Sequence, residues 1–255
     1  MRLMACLAAL VVGSGASGQV MLGPVPYLSG DDSPFDVSHP SFVVEDFEDG
    51  LFNVAGVESN KGTSDIYGPG ALADSVDGDD GVLDGLGTAG KALYSATGPQ
   101  GITFSFNPRI LGGYPTHVGV VWTDGEGDTS FTAWGPDGNL LGTVGPIYIS
   151  DGSIYGGTSE DRFFGTIAAC GISQIHISNA CCGMEVDHLQ FSFAPISPAG
   201  QADFDADGWV DAADLAILLG AWGPCPGRGC CPCDLNASGA VDAADLAILL
   251  GEWTI

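Results

Sequence analysis

Apolar and polar residues alternate in short runs through most of the chain. The runs PSFVVEDFE (40–48), KALYSAT (91–97), GITFSFN (101–107), THVGVVWTD (116–124), SFTAWGPDGNLLGTV (130–144), DRFFGTI (161–167), ISQIHIS (172–178) and EVDHLQFSF (185–193) have the length and composition of strands. Successive side chains on a strand point to opposite faces, so each run offers one apolar face to a core. Pro136-Asp137-Gly138-Asn139 predicts a tight hairpin turn, because proline presets one dihedral angle and glycine permits another. About eight such strands without helical stretches predict an antiparallel β-sandwich, a jelly roll, over residues 19–195. The period changes beyond residue 202. Leu215, Leu218, Leu219 and Trp222, and again Leu246, Leu249, Leu250 and Trp253, follow the i, i+3, i+4, i+7 rule of a helix with one apolar stripe. Neither stripe can be buried alone, so the two helices are expected to pack together with approximate two-fold symmetry. The chain reads as mainly β with a small α module at residues 202–255, joined by a linker at 196–201.

The first eighteen positions belong to neither part. Arg2 precedes the apolar run LMACLAALVV, and the small-residue stretch GSGASGQV follows it, which is the order of a secretory signal peptide over 1–18. Ala16 and Gly18 suit the cleavage positions, giving a mature chain from Gln19 that is secreted, extracellular or on the cell surface. Cys6 precedes most of the apolar run, which argues against a lipid anchor. No later segment approaches the length of a membrane span, so no membrane insertion is expected.

Charge narrows the partners. Six Lys plus Arg stand against 32 Asp plus Glu, a formal net charge of −26. Phosphate binding needs clustered Lys and Arg, so nucleic acid and anionic membrane surfaces are disfavoured. So many carboxylates either keep the chain soluble or bind cations, and only regular spacing separates the two uses. Cysteine usage follows from export. Cys170, Cys181, Cys182, Cys225, Cys230, Cys231 and Cys233 remain after the signal, and in an oxidising compartment they are disulfide candidates with one left over. The cluster CPGRGCCPC offers four thiolates but lacks the paired C-x2-C knuckles of common zinc folds, so disulfides are expected there.

Regular spacing does appear near the end. DFDADGWVDAADLAILLGAW begins at Asp203 and DLNASGAVDAADLAILLGEW at Asp234. A twelve-residue calcium loop draws its ligands from positions 1, 3, 5, 7, 9 and 12 and keeps glycine at 6. The first repeat fills these places with Asp203, Asp205, Asp207, Trp209 (by its carbonyl), Asp211 and Asp214, around Gly208. The second uses Asp234, Asn236, Ser238, Ala240 (by its carbonyl), Asp242 and Asp245, around Gly239. Val210 and Val241 occupy position 8, where paired loops bring short strands together. Five carboxylates stand in the first loop and three in the second, so the first is expected to fill first.

Neither SPAGQA before the first loop nor PGRGCCPC before the second can form an entering helix. A loop followed by an exiting helix, twice, with Asp at position 12, resembles the dockerin family over about residues 202–255. That resemblance implies a module folded by two calcium ions, which binds a cohesin domain on another protein and so assembles extracellular enzymes or surface structures. Dockerins of cellulose-degrading assemblies often carry polar pairs at positions 10 and 11, where this chain has Ala212-Ala213 and Ala243-Ala244. An unusual cohesin, self-association and a structural role therefore all stay open.

The larger region carries weaker hints. FEDG (47–50) and VDHLQF (186–191) are similar to the first and last strands of carbohydrate-binding-module-like jelly rolls. That likeness implies Glu48 and Asp187 as ligands of one more structural calcium. The region also looks like β-sandwich domains of exported bacterial proteins that carry a sorting or dockerin tail. Asp77, Asp79, Asp80 and Asp84 could cradle a calcium, yet they lack the full ligand spacing, and a solvated acidic turn is the simpler reading. His39, His117, His176 and His188 stand far apart. Glu185, Asp187 and His188 share a strand whose alternation should keep them from converging. Trp122, Trp134, Tyr148 and Tyr155 are either core or a sugar-stacking platform. The expectation is a non-catalytic, secreted calcium-binding protein that assembles with others. The alternatives are a polysaccharide-binding module, or a glycoside hydrolase with its two carboxylates distant in sequence.

Overall fold

The computed structural model describes residues 19–193, 202–204, 209–225, 231–236 and 238–254. The stretches expected to be a signal peptide (1–18) and a linker (196–201), together with Asp205, Asp207 and Cys230, lie outside the described residues. In chain order the strands of the larger region are β1 (Gln19–Pro26), β2 (Phe42–Glu45), β3 (Val57–Ser59), β4 (Ile66–Tyr67), β5 (Ala92–Ser95) and β6 (Ile102–Phe106). The helical turn α1 (Pro108–Leu111) follows, then β7 (His117–Trp134), β8 (Leu140–Tyr148), β9 (Arg162–Ala168) and β10 (Gln174–Ser192). They form one ten-stranded sheet whose ladders are all antiparallel.

Two long strands organise it. β7 and β10 pair along almost their whole lengths, but their two halves have different neighbours. The first half of β10 and the second half of β7 sit between β6 and β8; the other halves sit between β9 on one side and β5 with β2 on the other. Ile175, Ile177, Phe104 and Phe131 from one half share a core with Val118, Trp122, Phe164, Leu189 and Phe191 from the other. The sheet thus closes on its own apolar face. The bend falls where Asn179–Met184 faces Gly125–Thr129 with shifted register, and Gly125, Gly127 and Cys182 take positive φ angles there. In the sequence these stretches looked like gaps between separate strands; they are facing bulges inside continuous ones.

The half that carries β9 is buried on both faces. Its outer face holds a second cluster, Leu22, Tyr27, Phe35, Phe42, Val76, Val121 and Phe163. The segment from β1 to β2 and the loop around Val76 supply its cover. β1 escapes the strand pattern because Gly23-Pro24 and Pro26 interrupt it, and an edge strand tolerates such residues. The turn at 136–139 forms as expected, joining β7 to β8 with Trp134 opposite Leu140.

The C-terminal part holds α2 (Ala212–Gly220), the strand pair β11 (Gly223–Pro224) and β12 (Ala240–Val241), and α3 (Ala243–Gly251). Its core is Ala202, Val210, Leu218, Cys233, Val241 and Leu249. The predicted stripes need correcting. Leu218 and Leu249 are buried, and Leu215, Leu246 and Trp253 pack against the core, but Leu219, Leu250 and Trp222 stand about half exposed. Nine-residue helices paired with only one partner cover a narrow seam, so the i+4 leucines turn outwards in both repeats and the i+7 tryptophan does so in the first alone. Val210 and Val241 do not pair with each other either. Val241 pairs with Gly223 after α2, while the Val210 carbonyl accepts from the Thr254 amide after α3 and the Val210 amide donates to the Thr254 hydroxyl. Each loop clips the segment that follows the other repeat's helix.

Cys225 and Cys231 are joined, and Cys170 is also disulfide-bonded. Cys181, Cys182 and Cys233 are free thiols, against the expectation of disulfides at those positions. Among the described residues no helix is long and apolar enough to cross a membrane.

Candidate functional site

Two groups of carboxylates stand out, and they are built on different principles. In the C-terminal repeats, Asp211 and Asp242 cap the two helices, each accepting from the amide two residues on at 2.7 Å. Asp214 and Asp245 close the reciprocal bond, accepting from the amides of Asp211 and Asp242 at 2.9 and 2.8 Å. The other oxygen of each reaches back into its loop, Asp214 to the amide of Phe204 and Asp245 to that of Asn236. Both carboxylates are fully buried. Asp234 accepts from the amides of Ser238 and Gly239, and the Ser238 amide also donates to Oδ1 of Asn236, so the second loop is drawn around the side chains of Asp234 and Asn236. Gly239 has φ +92, an angle that favours glycine. Ala240 lies in β12, Trp209 is exposed and Asp203 is buried.

The second group lies on the outer face of the larger region. β10 from Met184 to Ser192 is buried without interruption, because Met184, Val186, Leu189 and Phe191 face the main core and Glu185, Asp187 and Gln190 face the covering loops. His188 breaks the alternation. Its φ of +43 marks a bulge, after which the register with β7 shifts, and the bulge turns His188 to the same side as Asp187. Asp79, Asp187 and His188 therefore offer ligand atoms within 4.8 Å of one another. The expectation that Asp187 and His188 diverge fails for this reason.

Hydrogen bonds order part of this seam. His188 Nε2 meets Asp79 Oδ1 at 2.7 Å, and its Nδ1 meets the hydroxyl of buried Tyr27 at 3.0 Å. Asp187 accepts from the amides of Val76 and His188. Asp77 turns inwards to accept from the amides of Asp84 and Gly85, whereas Asp80 and Asp84 are exposed turn residues. Glu48 binds the amide of Lys91 instead of joining Asp187. Four further acids were not singled out in the sequence: Asp74, Asp124, Glu160 and Asp161. Their one signal is position, each beside apolar or small residues in ALADSV, VVWTD and EDRFF.

Burial dominates their electrostatics. It pushes the Asp74 carboxyl up to about 9, with Asp124 and Glu185 adding repulsion. Glu160 and Glu185 rise to about 8, again chiefly through burial. Asp161 and Asp187 are held well above the usual carboxylate range by burial and by neighbouring acids. Among the described residues the one imidazole that meets a carboxylate is His188, at Asp79. Arg162 donates to the carbonyls of Ser159 and Asp161, not to a carboxylate.

Asp124 and Glu185 also line a cavity of about 400 Å³ beside Tyr67, Tyr94 and Ile154. The two tyrosine rings lie 6.5 Å apart and both are exposed. The aromatics picked out earlier do not form such a platform: Trp122 is core, and Tyr148 and Tyr155 are exposed outside this cavity. His117 is buried against Phe35 and Phe42, and His39 and His176 bond to Ser41 and Thr103.

No family model, curated protein or solved structure matches the chain.

Proposed function

We propose that the protein is a secreted, non-catalytic calcium-binding protein that docks other extracellular proteins through a dockerin-like module, residues 202–255, and carries a jelly-roll domain for interaction. The observation that supports it is the exact repetition of one device: a loop whose twelfth residue, Asp214 or Asp245, is buried, closes a helix cap and turns its second oxygen back towards the loop. That is the place from which a calcium loop's final carboxylate reaches its ion. The ligands of the two ions are those named for the repeats, from Asp203 to Asp214 and from Asp234 to Asp245.

The exposed helix faces fit docking. Ala212, Ala216 and Leu219 on α2, and Ala243, Ala247 and Leu250 on α3, are all exposed at i, i+4, i+7 spacing. Two small, apolar, symmetric faces suit a partner that approaches the backbone closely, either a cohesin-like domain or a second copy. Immobilised protein should retain its partner in millimolar calcium and release it in chelator, and the Asp214→Ala, Asp245→Ala double variant should bind nothing. Retention by the double variant would refute the reading. Calorimetric titration should fill the loop at 203–214 before that at 234–245.

The cavity favours a second reading, a lectin-like polysaccharide site. Tyr67 and Tyr94 line the cavity together with Asp124 and Glu185, and a sugar site combines such aromatic side chains with hydrogen-bond acceptors. Glycan-array binding lost in Tyr94→Ala but kept in the double variant would establish it. No hydrolysis is assigned in either reading.

A further inference from the structure

The buried seam contains a corner whose oxygens have nothing to bind. Both carboxylate oxygens of Asp161, Oδ1 of Asp74 and the hydroxyls of Thr123 and Thr158 are buried without a hydrogen-bond partner. All four residues are at most 2% exposed. The fold brings them together from three segments. Thr158 and Asp161 belong to one turn, closed by the bond from the Asp161 amide to the Thr158 carbonyl. Thr123 lies one position beyond the Trp122–Arg162 pair of the β7–β9 ladder, level with Asp161. Asp74 is the neighbouring acid that acts most strongly on Asp161, and its amide is tied to Glu185 on β10.

We propose that this corner is a calcium site, with Asp161 and Asp74 as charged ligands and the Thr123 and Thr158 hydroxyls as neutral ones. A buried oxygen without a partner is costly to the fold, and five in one corner point to a missing positive centre. Two carboxylates balance one divalent ion. The donors are all hard oxygens, with no imidazole or thiolate among them, which selects calcium or magnesium over zinc. Calcium accepts six to eight oxygens in loose geometry, whereas magnesium keeps several waters, so a buried corner offering five protein oxygens suits calcium. The corner uses neither Glu48 nor Asp187, the pair implied by the carbohydrate-binding-module likeness. It also stands apart from the C-terminal loops and does not depend on their reading. Filled, it would pin the loop at 74–87 and the turn at 158–161 onto β7, next to the tyrosine cavity.

Calcium binding by the full chain, measured by equilibrium dialysis, separates the possibilities. The wild type is expected to bind three ions, Asp161→Asn two, and the Asp214→Ala, Asp245→Ala double variant one. Adding Asp161→Asn or Asp74→Asn to the double variant should remove that last ion. A double variant that binds none, or one whose ion survives both added changes, overturns the proposal. Should the added changes prevent folding, the double variant itself decides: calcium in large excess should raise the melting midpoint of its sheet by about 5–10 °C over that in chelator, and an unchanged midpoint overturns the site. A wild type binding one ion, lost in Asp161→Asn, would leave this site standing and remove calcium from the C-terminal loops.

Discussion

The C-terminal module and the outer face of the sheet both bury carboxylates, and they compensate the burial in opposite ways. Asp214 and Asp245 each accept two backbone amides at the start of a helix, where amide hydrogens are free and the helix dipole favours negative charge. Asp161 accepts none, and the arginine beside it is engaged with carbonyls. A buried carboxylate can thus be held by its own local backbone, or it can wait on a charge from elsewhere. The two modules also differ in mass of core. The sheet buries Trp122, Phe104, Phe131, Phe164 and Phe191 together, whereas the module's core consists of six small or medium side chains.

That contrast sets the largest expected effect. In chelator, residues 202–255 should lose their helical circular dichroism while the sheet signal persists, because six buried side chains are a thin core without ions. Helices that survive chelation intact would break the comparison.

Acid should act on the other region. Burial lowers His117 from 6.5 to about 4, so the folded state holds it neutral. The stabilisation this represents is present above pH 6.5 and is lost as pH falls towards 4. The full span corresponds to up to about 3 kcal/mol. The unfolding free energy of the wild type relative to His117→Phe should fall as pH drops from 6.5 to 4, read by urea titration, with the module's transition left where it was; the raised carboxyls of Asp74, Glu160 and Glu185 act in the opposite direction but are common to both proteins. An identical pH profile in the variant would show that His117 does not carry the effect.

The smallest effects test the internal symmetry of the module. Asp211→Ala and Asp242→Ala each remove one helix cap and should each lower its stability by about 1 kcal/mol. Their shifts in melting midpoint should match, since the two caps have the same 2.7 Å bond and the same backbone geometry. Unequal losses would show that the repeats share a motif but not an energetic role.

Legibility follows locality. The two C-terminal helices could be read directly, because a helical period depends only on near neighbours along the chain. The stripes were read too generously: Leu219 and Leu250 match the helical period, but two short helices lack the surface to cover them. In the sheet, the runs were legible as strands, yet SFTAW and THVGVVWTD turned out to be one strand bent at Gly125 and Gly127. Asp187 and His188 defeated the alternation rule through a bulge, which no residue type announces when its positive φ falls on histidine instead of glycine.

The residues alone determined the twin loops, the helix starts, the acidic surface and the predominance of strands, since each depends on near neighbours along the chain. Tertiary structure alone decided which face of β10 would be doubly covered and that Asp74, Thr123, Thr158 and Asp161 would meet. Those four come from segments up to 87 positions apart, and only strand register and loop closure carry information over such a distance.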